Sequence, residues 1–145
     1  MVTMKKTKTQ KFYTHKFANI LNIQKIVTIH YQKLEKKYVS KTESHDFWEI
    51  NYADKGSVKV MIGEKSVSLK PGELLFIPPN QEHFLESGNS EPNVFIISFT
   101  CTSKAMELFS EDKYTVDDNY RYLLQNIMST LHQLEIFQKR ILIRG

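Results

Sequence analysis

Residues His45–Phe84, HDFWEINYADKGSVKVMIGEKSVSLKPGELLFIPPNQEHF, decide the fold. Short runs of β-branched and aromatic residues are broken at close intervals by turn residues, the pattern of an all-β sandwich or barrel. His45–Ala53 reads as one strand ending in the turn Asp54-Lys55-Gly56. Val58, Val60 and Ile62 then alternate with Ser57, Lys59 and Met61. Gly63-Glu64 makes a hairpin turn into Lys65–Leu69, with Val67 and Leu69 on the inward face. Pro71-Gly72 turns the chain into Leu74–Ile77, and Pro78-Pro79-Asn80 makes a corner before Gln81–Glu86.

Outward from this core, Ile26–Tyr31 alternates β-branched and polar residues, and Asn93–Cys101 supplies a last strand after the polar loop Ser87–Pro92. Beyond Cys101 the period becomes 3.6. Ser103 is placed to cap a short helix through Phe109. Asp117-Asp118 opens a longer helix, with negative charge where the helix dipole favours it. Within it Tyr120, Leu124, Ile127, Leu131 and Leu134 form a stripe that Leu123, Met128 and Phe137 widen. Such a stripe either docks on its own barrel or makes a coiled-coil-like seam between two protomers, which at this length needs barrel contacts as well. The expected divisions are a basic leader over 1–22, a β-barrel over 23–102 and a helical dimerisation or linker segment over 103–145.

With 145 residues, 41% of them hydrophobic and 25% charged, the chain suits one soluble globular domain. Its apolar runs, Leu74–Ile77 and Val94–Ile97, are far too short to span a bilayer, and no signal peptide is visible. The single cysteine, Cys101, excludes an internal disulfide and suits a reducing cytoplasm; the residue reads as a small buried hydrophobe. Residues 1–41 carry ten lysines against Glu35 alone, a net +9, whereas 42–145 carry ten Lys or Arg against fifteen acids, a net −5. The lysines are scattered, with no arginine and no stacking platform, so a solvated leader is the better reading than a nucleic-acid site. The acidic body should not bind DNA by itself. No nucleophile–base pair, glycine-rich phosphate loop or CxxC supports covalent catalysis.

His45, Glu49 and Gly56 fill the second histidine, the glutamate and the glycine of HxHx(3–4)Ex(6)G, with Glu43 in place of the first histidine. Gly72, Pro78 and His83 match Gx(5)PxGxxH, with Asn80 in place of its second glycine; both residue types tolerate a left-handed turn. The two motifs, in order and sensibly spaced, resemble those of the cupin superfamily. The strings around them and NVFIISF (93–99) resemble the N-terminal domain of AraC-family regulators, over roughly residues 25–135. That resemblance implies a double-stranded β-helix (cupin, jelly-roll) barrel followed by one or two C-terminal α-helices. It also implies binding of a small polar effector, often a sugar, and homodimerisation through those helices. DNA is then contacted only through a helix-turn-helix half for which a chain ending at Gly145 has no room, so an excised sensor domain or a truncated product is expected.

Alternate side chains of an extended strand share a face, so Glu43, His45, Phe47, Glu49 and Asn51 are expected to point together. Two carboxylates, an imidazole and an amide are costly in a dry core and make sense lining a wet cavity. The opposite face, Trp48, Ile50 and Tyr52, is apolar and needs cover. The expected effector-binding set is Glu43, His45, Phe47, Glu49, Asn51 and His83. The resemblance also makes Glu43, His45, Glu49 and His83 the four positions that hold a metal in metal-binding cupins. Two imidazoles and two carboxylates can hold Fe, Mn, Ni or Zn. The expectation is nevertheless no cofactor and no catalytic residue, with hydrogen bonding to an effector, or a His–Glu structural network, as the alternatives to a metal. His15, His30 and His132 read as structural or solvent-facing. A small metal-dependent cupin enzyme, isomerase or oxygenase, and a stand-alone dimerisation module are the competing functions.

Overall fold

Alternation along the strands sorts the chain into two sheets, and turn residues set where it crosses between them. The computed structural model describes residues 21–109 and 112–144, with side chains as far as residue 134. In chain order the elements are β1 (Ile23–Lys33), β2 (Trp48–Lys55), β3 (Val58–Ile62), β4 (Lys65–Leu69), β5 (Glu73–Ile77), β6 (His83–Glu86) and β7 (Asn93–Cys101). A 3₁₀ helix (Lys104–Phe109), β8 (Lys113–Thr115) and α1 (Asp118–Arg144) follow. A five-stranded sheet in the order β1-β7-β2-β5-β8 faces a three-stranded sheet in the order β4-β3-β6, and every pairing is antiparallel. This is the mainly-β antiparallel barrel expected from the two motifs, followed among the described residues by one α-helix.

Between the sheets Ala53, Leu75, Ile77 and Val94 meet Val58, Val60, Ile62, Leu69 and Leu85 in one buried cluster. Burial of such side chains from both sheets is what holds the barrel shut, at roughly 1.5–3 kcal/mol each. The outer face of the large sheet has its own cluster. Trp48, Phe99 and Cys101 pack with Met106 of the 3₁₀ helix, with Ile50, Phe76 and Phe109 at the margin. The apolar face of β2 is thus covered from within the chain.

Several expectations need correcting. The strand foreseen over His45–Ala53 begins only at Trp48, because Ser44–Phe47 is bent and irregular. Glu43 therefore does not share β2; it exchanges backbone hydrogen bonds with His83 (2.9 and 3.0 Å) and belongs to the other sheet. Likewise Gln81–Glu86 narrows to His83–Glu86, and Ile26–Tyr31 lengthens in register with β7. The segment 103–145 is not purely helical, since β8 adds itself to the sheet beside β5. The basic leader over 1–22 lies, but for its last two residues, outside the described residues, as does His15.

Two features fix the ends of the barrel. The Val116 amide donates to the Gly72 carbonyl and the Gly72 amide to the Ala53 carbonyl, each at 2.8 Å, so the start of α1 is tied to the β4–β5 turn. The Asn119 amide then donates to the Asp117 carboxylate (2.8 Å), which caps the helix as its sequence foretold. At the other corner Asn80 sits at φ 64°, and its amide donates to the His45 carbonyl at 2.6 Å. This is the left-handed position for which the motif has glycine, and asparagine adopts it at small cost. Asn80→Gly should therefore leave the unfolding free energy within about 0.5 kcal/mol of the parent, whereas Asn80→Ala should lose about 1 kcal/mol. Urea titration of the two variants checks the ordering.

Candidate functional site

The polar site grows from one buried acid. Glu49 lies on the inner face of β2, only 6% exposed, where an unpaired carboxylate is untenable. Four segments supply its partners. His45 Nε2, from the irregular segment before β2, is 3.2 Å from Glu49 Oε2. Asn51, two residues along β2, donates from Nδ2 to Oε1 at 2.9 Å. Ser98 of β7 donates to Oε2 at 3.4 Å and in turn accepts from Thr28 of β1 at 2.9 Å. His83 of β6 brings Nε2 to 3.5 Å from Oε1, a charge contact across the two sheets.

Both imidazoles are held from behind. His45 Nδ1 lies 2.9 Å from the Phe47 carbonyl, and His83 Nδ1 lies 2.8 Å from the Gln81 carbonyl. A carbonyl only accepts, so both rings carry a proton on Nδ1, and Nε2, which faces Glu49, donates to the carboxylate only in the doubly protonated imidazolium. The Phe47 ring stacks on His45, centroids 3.9 Å apart and 7° from parallel, and His83 meets His45 edge-on at 5.0 Å. Burial alone pushes the Glu49 carboxyl upward, but hydrogen bonds from His83 and Asn51 and the nearby imidazoles outweigh it, holding the group below its usual range. Burial likewise pulls His83 down, yet the Glu49 carboxylate and the Gln81 carbonyl leave it raised above its usual value.

Above this network lies a cavity of about 330 Å³. Glu49, His83, Leu85 and Ser98 form its buried floor, while the exposed His30, Gln32, Tyr38, Lys41 and Glu43 stand at its mouth. It opens along a seam between the sheets. One lip is β1, at the edge of the large sheet; the other is the segment 39–43, which is bridged to β6 at Val39–Glu86 and Glu43–His83.

Of the six residues expected to meet an effector, Glu43, His45, Phe47, Glu49 and His83 line this one cavity. Asn51 does not: it is fully buried behind Glu49 and supports it. Sequence reasoning missed Thr28, Gln32, Lys41 and Ser98 and set His30 aside as structural. The alternation of Thr28, His30 and Gln32 with Ile29 and Tyr31 was the available signal, as was Ser98, a lone hydroxyl in an apolar strand. Glu43, His45, Glu49 and His83 each offer a ligand atom, all within 4.8 Å of one another. With each Nδ1 engaged by a carbonyl and each Nε2 directed inward, the set fits a divalent transition metal. The five-residue helical stripe is divided: Leu124 and Leu131 are half-buried, while Tyr120, Ile127 and Leu134 are exposed.

Residues 27–138 match the family model of the AraC-like ligand binding domain. The chain belongs to that family. Among solved structures, this AraC-like domain resembles the S161A variant of Bacillus subtilis oxalate decarboxylase, with 16% identity, TM-score 0.47, and coverage of 50% of this chain and 20% of that one. A Thermotoga maritima protein described as a predicted oxalate decarboxylase gives 20% identity and TM-score 0.47, covering 52% of this chain and 66% of that one. KdgF from a Halomonas species gives 17% and 0.46, covering 59% and 83%. The AraC-like domain spans about a fifth of the B. subtilis enzyme's length, and likenesses this distant say nothing of its activity. No curated protein gives a significant match to the sequence.

The shifts make stability pH-dependent. Glu49, lowered in the fold, contributes fully above its ordinary 4.5 and loses that contribution as pH falls through the folded value. His83, raised, contributes fully below 6.5 and loses that contribution as pH rises through its folded value. The network therefore stabilises the domain most between those two values. Melting temperatures across pH 3–9 for the parent and for Glu49→Gln test this: the parent should show both flanks, and the variant should be less stable, lose the acidic flank and weaken the alkaline one, since Glu49 is what chiefly raises His83.

Proposed function

We propose that this AraC-like domain is the sensing half of a transcription regulator, which binds a small polar effector in the barrel cavity and carries out no catalysis. The observation that supports it best is the polar cavity itself, built over a Glu49–imidazole network inside a fold of the ligand-binding family. Glu43, His45, Phe47, Glu49 and His83 form its wall, with Asn51 behind them, and a sugar is among the ligands that suit it. Effector binding would act by stabilising one arrangement of barrel and helix over another, as ligand linkage requires. DNA contact, in such a regulator, belongs to helix-turn-helix modules outside these 145 residues. Among the described residues no helix is long and apolar enough to cross a membrane; a cytoplasmic site of action is part of this proposal. Calorimetric titration against a panel of sugars and polar metabolites should find at least one ligand that releases heat and raises the melting temperature. Silence across the panel would remove the sensor reading.

Homodimerisation through α1 belongs to the same proposal. Tyr120 (62% exposed), Ile127 (39%) and Leu134 (53%) present apolar surface on the described part of the helix, the last two at the margin of hollows beside β1, while Leu124 and Leu131 are half-buried. The double variant Ile127→Asp/Leu134→Asp should halve the mass seen by light scattering without changing the melting of the barrel. An unchanged dimer would place the interface on the barrel instead.

The four clustered ligand atoms favour one second reading, a small metal-dependent cupin enzyme such as an isomerase or oxygenase. In it Glu43, His45, Glu49 and His83 would hold the ion, which would supply Lewis-acid or redox chemistry to a substrate at the cavity mouth. Elemental analysis after chelator-free purification separates the readings: the sensor is expected metal-free, and a stoichiometric transition metal would favour the enzyme.

A further inference from the structure

Resting on the reading of the cavity as an effector site, we infer that its effector is an anion read at the seam, with Lys41 as the pairing group, and that Glu49 does not touch it. The floor is already spent. Each oxygen of the Glu49 carboxylate faces two protein donors, Asn51 Nδ2 and His83 Nε2 on one and His45 Nε2 and Ser98 Oγ on the other. Three hydrogen bonds and the 3.5 Å contact of His83 thus surround the carboxylate's roughly four acceptor sites, which leaves Glu49 little to offer a ligand. The imidazoles are held through Nδ1 by backbone carbonyls; His45 Nε2 is bonded to Glu49, while the buried His83 Nε2 stands 3.5 Å from Glu49 without a hydrogen bond. Recognition therefore falls on groups at the mouth that the fold leaves open.

The seam's charge decides what they take. Between residues 21 and 43 the two lips and the turn that joins them carry five lysines, Lys25, Lys33, Lys36, Lys37 and Lys41, against Glu35 and Glu43. Lys33 is 3.9 Å from Glu91, but Lys41, which lines the cavity, has no ion-pair partner among the described residues. The first 34 residues contain no carboxylate that could serve as one. A positive, narrow opening raises the local concentration of anions and speeds their entry. Inside it, His30 and Gln32 on one lip and Tyr38 on the other offer hydrogen bonds beside Lys41. That combination fits a small molecule with a carboxylate or phosphate at one end and hydroxyls along its body.

The test compares matched probes on the full chain by calorimetry at low and moderate salt: galacturonate against galactose, glucuronate against glucose, and inorganic phosphate alone. At least one acidic sugar should bind about tenfold or more tightly than its neutral twin, with the margin shrinking as salt is added. Lys41→Met should bring the ratio to about one while leaving the melting temperature unchanged, and Lys41→Arg should keep the preference. Neutral and acidic twins binding equally, or a preference that survives Lys41→Met, overturns the anion proposal and leaves the sensor standing. Binding by none of these probes overturns the anion proposal, and the sensor is then judged on its wider panel.

Discussion

A carboxylate buried between two β-sheets must be compensated where it stands, and in this domain most of the architecture around the cavity follows from that need. Removing a charge of this kind from water costs several kcal/mol after relaxation, and only close donors recover it. Glu49 draws those donors from β2 itself, from β6 and β7 and from the irregular stretch before β2, with Thr28 of β1 one bond further out. His83 is the one partner from the opposite sheet, so the charge contact at 3.5 Å is also a tie across the barrel. The tie is anchored by backbone, since Glu43 and His83 pair through their main chains and Asn80 bonds back to His45. A polar cavity is the consequence: a floor that must stay polar cannot be packed with apolar side chains, and a wet space is left above it.

The large features were legible in the sequence because they rest on local chemistry. Turn residues at 63–64 mark a hairpin, and those at 71–72 and 78–80 mark crossings between the sheets, all of which the structure keeps, and Asn80 takes the left-handed conformation its motif position demands. The Asp117 cap and the start of α1 are local as well. What was not legible depends on partners far away in the chain. Strand β8, Lys113–Thr115, has no strand signal of its own and exists because β5 offers an edge to pair with. Strict alternation carried Glu43 onto β2, whereas pairing with His83 holds it on the other sheet. A periodicity of 3.6 shows that α1 has an apolar stripe, but it cannot say that Leu124 and Leu131 are half-buried while Ile127 and Leu134, beside β1, stay exposed.

The same division applies to the site. Motif spacing brings His45, Glu49 and His83 together correctly, because all three sit beside turns whose geometry the motif specifies. The lining from β1 and from 38–41 comes from the sheet edges that border the seam, and these carry no motif. A ligand-sensing domain is free to vary there, since changing a lip alters what enters without disturbing the charge balance of the floor.

The account stands on the orientation of two imidazole rings, and nitrogen-15 NMR of the histidine side chains reads that orientation directly. Two-bond nitrogen–proton correlations at neutral pH should show Nδ1 protonated in both His45 and His83, as donation to the Phe47 and Gln81 carbonyls requires. A bare Nδ1 in either ring would mean that its backbone anchor does not form, and the ring orientation from which the Glu49 contacts are built would be contradicted.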